Sequence, residues 1–290
     1  MIKFERILFP VDFSEQCAAV VPAVKAMAKR FGSELVLLHV VNLPPAWAGS
    51  PEGAAWAALI NADRLRLDGL AALSLFVEKR FPGIRVTSEI DEGDPARLIV
   101  EYADDEHDDL IMMPTRGYGP FRSLLLGSVT AKVLHDAHCP VWTGVHAEQM
   151  AAHPADRWKR VLCAMDTEPR DLGVLRWAAE FASEQSIELR LVHVVPGAGA
   201  ELVNEKDASM REFLFNLARD RMANLQAEAG TDFDVCFVGG NVSRAVRQAA
   251  IGHQADLIVI GRGVMQKAFG RLRSGAYSII REAPCPVISI

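Results

Sequence analysis

The stretch PTRGYGPFRSLLLGS (114–128) carries residue types that suit the binding of a phosphate group. Its glycines allow a backbone to approach a ligand closely, and it leads into LLLGSVTAKVLHDA (124–137), which has helical spacing. The N-terminus of a helix attracts anions, and Ser128 would add a hydroxyl donor. Glycines at this spacing are a weak signal, so a simple turn between a strand and a helix remains the alternative.

A second kind of candidate is an acidic residue that follows an apolar run. Asp12 follows RILFPV, and Asp166 follows RVLCAM. Such a carboxylate can accept hydrogen bonds from a ribose hydroxyl or an adenine amino group, or it can cap the helix that begins near Ser14. Both interpretations remain open. His39 and His193 lie in another pair of apolar runs, where a local hydrogen bond is the favoured interpretation and the backbone after them is available to a base.

The chain repeats itself in four ordered segments, and Asp12 and Asp166 lie 154 positions apart. The pairs are RILFPVDFSE (6–15) with RVLCAMDTEP (160–169), ELVLLHVV (34–41) with ELRLVHVV (188–195), DDLIMMPTRG (108–117) with ADLIVIGRGV (255–264), and AHCPVWTGV (137–145) with APCPVISI (283–290). They predict a duplicated domain, with boundaries at 1–146 and 157–290 and the polar segment HAEQMAAHPADRWK (146–159) as the linker.

Within each half, short apolar runs alternate with segments of helical periodicity. The runs show little polar alternation, which is typical of strands buried on both faces of a parallel sheet. Between the first two runs, SEQCAAVVPAVKAMAKRFG (14–32) predicts a helix capped by Ser14 and ended by Gly32. The pattern predicts an α/β fold with one doubly wound parallel sheet in each half and ligands at the carboxyl ends of the strands. The strands are expected near 5–11, 34–41, 84–90, 109–113, 140–145, 159–165, 187–195, 233–238, 256–260 and 286–290.

Composition argues against several classes of protein. The formal charge of −6 without a basic cluster disfavours nucleic acid as a partner, and no apolar run is long enough to cross a membrane, so we expect a cytoplasmic protein. The five cysteines have no paired spacing, and we expect buried free thiols. The chain has no GxGxxG after its first strand and no GxxxxGK[ST] loop, and Pro114-Thr115 stands where a response regulator has a lysine. No Cys/His or Ser/His spacing supports covalent catalysis, so no catalytic residue is predicted.

PVDFSE (10–15), LLHVV (37–41) and GPFRSLLLGSVTAKVLHDAHCPV (119–141) resemble the universal stress protein family, and the likeness covers both halves. The resemblance implies two flavodoxin-like domains, of the adenine nucleotide alpha hydrolase-like kind, each with a five-stranded parallel sheet of order 3-2-1-4-5. One branch of the family binds ATP through a GxxGxxxxxxxxxG loop followed by Ser or Thr. In this chain the matching positions are Asp12 and Val40 for the nucleoside and Gly117, Gly127 and Ser128 for the phosphates.

The two halves depart from that pattern to different degrees. Pro114 stands where the pattern begins with glycine, and proline has no N–H to donate. In the second half Gly261 is present, but Val264 and Arg273 stand where the second and third glycines belong. We therefore expect a degenerate phosphate loop there, although Asp166 and Val194 still match the nucleoside end.

The leading hypothesis is a tandem universal stress protein, a stress-response or signalling module that binds ATP in its first domain, with Mg²⁺ or Mn²⁺ as an accompanying ion and at most slow ATP hydrolysis. The second domain would act as a pseudo-dimer partner through the last strands, which have unpaired sheet edges. A homodimer of whole chains and an unidentified protein partner are both left open. The alternative is a nucleotide-free structural or protein-interaction scaffold that has lost the ATP site.

Overall fold

A computed structural model describes residues 2–41, 62–115, 126–144, 158–195, 197–199, 205–262 and 274–290. The chain divides into two compact units, one formed by Phe4–Ser123 with Gly127–Val141 and the other mainly by Trp142–Ile290. None of the described helices is both long and apolar enough to cross a membrane.

In the first half, strands and helices alternate along the chain. The strands are β1 (Arg6–Pro10), β2 (Glu34–Val41), β3 (Val86–Glu92), β4 (Leu110–Pro114) and β5 (Val141–Gly144). The helices are α1 (Glu15–Phe31), α2 (Ala62–Arg80), α3 (Pro95–Asp105) and α4 (Ser128–Asp136). The sheet order is β3-β2-β1-β4-β5, so the predicted order 3-2-1-4-5 is confirmed for this half.

The middle of this sheet is buried on both faces. Ile7, Leu8 and Phe9 of β1 are fully buried, with Leu8 in register with Val36 of β2 and Ile111 of β4. Both neighbours run parallel to β1, which leaves little room for polar alternation in these strands. Each such apolar side chain contributes roughly 1.5–3 kcal/mol when buried. The core therefore fixes the level at which β1, β2 and β4 end.

Helix α1 shows why this sequence forms a helix. Val20, Val24 and Met27 recur at helical spacing and are buried, so one face packs against the sheet. Ser14 is the N-cap, and its hydroxyl accepts the N–H of Cys17 at 3.0 Å. Gly32 ends the helix at φ 67°, a left-handed conformation that glycine adopts without strain. Both predicted ends of this helix are confirmed.

The second half repeats the arrangement. Its strands are β6 (Arg160–Ala164), β7 (Glu188–Val195), β8 (Val235–Gly239), β9 (Leu257–Ile260) and β10 (Val287–Ser289), in the order β8-β7-β6-β9-β10. Its helices are α5 (Leu172–Gln185), α6 (Glu205–Ala229), α7 (Val242–His253) and α8 (Ser274–Glu282). Trp158 is buried with its ring centroid 5.4 Å from that of Phe181, so it packs with this half although the predicted linker extended to 159.

Candidate functional site

Asp12 lies two residues after the end of β1, at the carboxyl edge of the sheet, and its side chain is exposed. Its Oδ1 accepts the N–H of Ser14 at 3.0 Å and the hydroxyl of Ser14 at 2.6 Å. Because Ser14 itself caps α1, the structure assigns the cap to Ser14 and not to Asp12. Asp12 thus orients the cap, and both of these bonds use the same carboxylate oxygen.

Phe13, between Asp12 and Ser14, has a backbone φ of 60°, which is unusual for a residue other than glycine. This left-handed conformation costs roughly 1–2 kcal/mol. Ring contacts hold it in place, since the Phe13 centroid lies 4.5 Å from that of His39 and 5.9 Å from that of Phe76. Backbone strain of this kind concentrates at functional sites, where it fixes a geometry that the free chain would avoid.

Val40 lies where β2 extends beyond the end of β1. The register of β1 and β2 ends with Pro10 opposite Leu38, and the N–H of Val11 donates to the carbonyl of Leu38 at 2.8 Å. Val40 is two residues further on, so its N–H and C=O face the same side as those of Leu38, above the end of β1. These are the backbone groups that the sequence predicts for reading an adenine edge.

His39 is satisfied locally, as predicted. Its Nδ1 lies 2.8 Å from the carbonyl oxygen of Val11, and a carbonyl only accepts, so Nδ1 carries the proton. The second half repeats this contact, with 3.1 Å between Nδ1 of His193 and the carbonyl oxygen of Met165. The imidazole thus ties the end of the first strand to the second strand in both halves.

The phosphate end of the predicted site lies between β4 and α4. Gly127 is the N-cap of α4, and it supplies no side-chain cap. Its own N–H donates to the carbonyl of Thr115 at 2.9 Å, while the hydroxyl of Thr130 donates to the carbonyl of Pro114 at 3.1 Å. The helix begins at Ser128, later than the predicted start at 124, because the chain at Gly127 is extended.

The structure therefore places Asp12, Val40, Gly127 and Ser128 at the carboxyl ends of three adjacent strands, β2, β1 and β4, or at the helix that follows. This is where doubly wound sheets bind ligands. Gly117 lies outside the described residues.

The second half has a cavity of about 250 Å³ at the corresponding edge of its sheet. Its lining comes from the ends of β6, β7 and β9 and from α7 and α8, and it includes Asp166, Asp171, Val194, Gly261 and Ala276. Gly261 has no room for a side chain, because a Cβ there would lie 2.7 Å from Val174.

Asp171 was not predicted as a site residue. It is buried, it lines the cavity with Asp166, and its Oδ2 accepts the N–H of Glu168 at 3.2 Å. Burial raises the pKa of Asp171, and the negative charge of Asp166 adds to that effect. The 154-residue repeat aligns Asp171 with Cys17, so the signal was present as a thiol replaced by a carboxylate.

Comparison with known proteins agrees with the fold. The model of the universal stress protein family matches residues 3–143 and again residues 157–290. The chain belongs to the universal stress protein family.

Individual relatives match about one half of this universal stress protein. A universal stress protein of Methanocaldococcus jannaschii is 34% identical over 140 residues, which is 48% of this chain and 80% of the relative. One from Thermus aquaticus is 33% identical over 140 residues, covering 48% of this chain and 96% of the relative. The crystal structure of a universal stress protein from Archaeoglobus fulgidus covers 99% of this chain and 96% of its own, with a TM-score of 0.65 at 24% identity, a likeness of fold.

All five cysteines of this universal stress protein lie in the described residues, and none of them forms a disulfide there. Cys17, Cys163 and Cys285 are buried, as expected, whereas Cys139 and Cys236 are only partly buried. Burial raises the pKa of the Cys17 and Cys163 thiols to about 12. Thiols with such pKa values are poor nucleophiles at neutral pH, which gives them a packing role.

Proposed function

We propose that this universal stress protein is a stress-response or signalling module that binds ATP in its first half. The observation that carries the proposal is the start of α4. Its N-cap, Gly127, brings no side chain to the first N–H groups of the helix, and the helix follows β4, the direct neighbour of β1 and Asp12. An uncapped helix N-terminus beside a strand end that carries a carboxylate suits a nucleotide, with an anion at one end and a ribose at the other.

Each residue then has a separate task. Asp12 accepts a hydrogen bond from a ribose hydroxyl through the oxygen that Ser14 does not use, and the backbone of Val40 reads the adenine edge. The phosphates lie against the first turn of α4 and the hydroxyl of Ser128, and Gly117 completes the loop. Because the N–H of Gly127 already donates to Thr115, the donors for phosphate come from the residues after it.

A divalent cation, Mg²⁺ or Mn²⁺, would be held mainly by the phosphates. The described part of the chain contains no group of three His, Cys, Asp or Glu residues arranged to hold a metal ion. We assign no catalytic residue, since Asp12 belongs to the nucleoside end. The proposed activity is therefore nucleotide binding, with ATP hydrolysis slow at most.

Binding is tested on the purified full chain by nucleotide released on denaturation and by the melting temperature with and without ATP. Saturation at 100 times Kd stabilises a protein by about 2.7 kcal/mol, which corresponds to a rise of several degrees. Asp12→Asn should weaken ATP binding about tenfold, because a hydrogen bond to a charged acceptor is lost. Asp166→Asn is the matched control in the second half and should leave ATP binding unchanged. Equal losses from both substitutions would contradict a site in the first half.

The second candidate function is a nucleotide-free interaction scaffold, and Pro114 favours it. This residue is buried at the end of β4, it has no N–H, and its carbonyl already accepts the hydroxyl of Thr130. No nucleotide on denaturation and no ATP-dependent change in melting temperature would favour the scaffold.

A further inference from the structure

A groove with a cavity volume of about 640 Å³ lies on the second half, between the start of α7 and the end of α8. It is separate from the 250 Å³ cavity, and the two have no described lining residue in common. The described residues that line the groove include Asn241, Arg244, Arg247, Gln248, Arg281 and Glu282. Three of them are arginines, so the surface has the composition of an anion site.

The arginines come from two helices. Arg244 and Arg247 are three residues apart on α7 and therefore share one face of that helix, and both are exposed. Arg281 comes from α8, where its guanidinium lies 2.9 Å from Oε1 of Glu282. The other oxygen of Glu282 accepts the hydroxyl of Ser243 at 3.0 Å. Three positive charges against one negative charge give the described lining residues a formal charge of +2.

The N-terminus of α7 adds to the positive charge of the groove. Asn241 is the N-cap, and its side chain accepts the N–H of Arg244 at 3.1 Å. The N-terminus of a helix carries about half a positive charge, and this one opens onto the groove through its cap residue. A neutral amide cap, unlike an aspartate, leaves that partial charge uncancelled.

The first half provides an internal comparison, because the repeat aligns α7 with α3 and α8 with α4. Asn241 aligns with Asp94 and Gln248 with Glu101. Arg244 aligns with Arg97. The positive charge of Arg97 is neutralised, because its guanidinium lies 2.6 Å from a carboxylate oxygen of Glu101. Asp94 forms an ion pair with Lys132, with 3.2 Å between the carboxylate oxygen and the ammonium nitrogen.

The other two arginines of the groove have no arginine counterpart in the first half, since Arg247 aligns with Val100 and Arg281 with His135. The same pair of helices therefore carries paired charges in one half and a basic excess in the other.

We propose that this groove on the second half binds the phosphate group of a small anionic ligand. A phosphate carries up to two negative charges and several acceptor oxygens, so it gains more than a single carboxylate from three guanidinium groups and a helix N-terminus. Arginine presents its N–H groups as a rigid fork that matches phosphate oxygens, and the cations among the described lining residues are all arginines. The site is independent of the proposed ATP site in the first half.

The probe is inorganic pyrophosphate, titrated into the full chain by calorimetry at low salt. The test variant is Arg247→Gln with Gln248→Glu, which removes one positive charge and supplies Arg244 with the i+4 glutamate that Arg97 has in the first half. We expect at least a tenfold loss of pyrophosphate affinity. Arg97→Gln removes one positive charge at the position of the first half that aligns with Arg244, and as the control it should leave pyrophosphate affinity unchanged. All three substitutions are on exposed residues, so the melting temperature without ligand should be preserved in both variants.

Three outcomes decide the matter. Loss in the double variant with retention of the ATP-dependent rise in melting temperature supports a separate phosphate site, and Arg247→Lys should then recover only part of the affinity, because charge is restored without the fork. Unchanged pyrophosphate affinity in the double variant would overturn the proposal. Tighter binding of a glutamate-rich peptide than of pyrophosphate, lost in the same variant, would also overturn it and assign the groove to an acidic protein segment.

Discussion

The N-cap of α4 allows charge to be separated from structure at the proposed phosphate end. Gly127 has φ −60° and ψ 144°, which any residue adopts without strain. Asn and Asp are equally good N-caps and nearly equal in size, so Gly127→Asn and Gly127→Asp place similar side chains over the first turn. The two variants differ by one negative charge at the point where the phosphates of ATP are proposed to bind.

The expected effects on stability and on binding have opposite signs. Either cap should stabilise the protein by a few tenths of a kcal/mol, and the aspartate gains a further 0.3–1 kcal/mol, approximately, from the helix dipole. Two unit charges about 4 Å apart near a protein surface repel by about 4 kcal/mol, or roughly a thousandfold in affinity. Gly127 is half-buried, and solvent and salt reduce this to about a hundredfold for Gly127→Asp relative to Gly127→Asn.

The assay is ATP titration by calorimetry on both variants, with chemical unfolding of each without ligand. Gly127→Asp should be the most stable of the three proteins and the weakest in binding ATP. The charge argument fails if the two variants bind equally, whether at wild-type affinity or with equal losses. Loss of stability in both variants would mean that the side chains do not cap the helix.

Two further predictions concern groups that the structure defines well. Asp108 is buried against Arg6 at 2.9 Å, and burial raises its pKa to about 6. The folded chain therefore binds this proton more tightly than the unfolded chain, so its contribution to stability is full below pH ~4 and falls by about 3 kcal/mol as the pH rises through 6. Asp108→Asn should remove this pH dependence from the free energy of unfolding measured in urea. An unchanged dependence on pH in the variant would show that another group titrates. Ser14→Ala should lower the free energy of unfolding by about 1 kcal/mol, and Ser14→Thr should lower it much less. ATP affinity should follow the same order, because the hydroxyl of Ser14 orients Asp12. Equal ATP affinities in the two variants would show that the helix cap does not influence the site.

Apolar patterning located the strands because most of them are buried on both faces. β2 was predicted at 34–41 and observed at Glu34–Val41. β3 was predicted at 84–90 and observed at Val86–Glu92, a shift that reflects its polar and partly exposed sequence VTSEIDE. The start of α4 was predicted at 124, which is too early. LLLG (124–127) has helical composition, and only the extended backbone at Gly127 shows that the helix begins at Ser128.

Side-chain roles at the site depended on geometry that sequence patterns do not carry. Nothing in the residue types shows that Asp12 would accept a hydrogen bond from the hydroxyl of Ser14. Nor do they show that Phe13 would adopt a positive φ with its ring in contact with those of His39 and Phe76. Asp171 was missed for a related reason. In the second half Pro169 begins a 3-10 turn, Pro169–Asp171, before α5, and that turn directs the Asp171 carboxylate to the cavity.

The departures in the two halves can be weighed against each other. Pro114 removes one N–H donor from the first half, and a hydrogen bond to a charged group is worth about 1.5–3 kcal/mol. In the second half, Oδ1 of Asp171 lies 3.9 Å from the Cβ position of Gly261, where the phosphate loop begins. A phosphate there would meet a carboxylate at a cost of about 4 kcal/mol near a surface, and more where water is excluded. A bound phosphate would raise the pKa of Asp171 further, which is the same unfavourable coupling expressed in its protonation. The missing donor is therefore the smaller obstacle, and ATP should favour the half that carries Pro114.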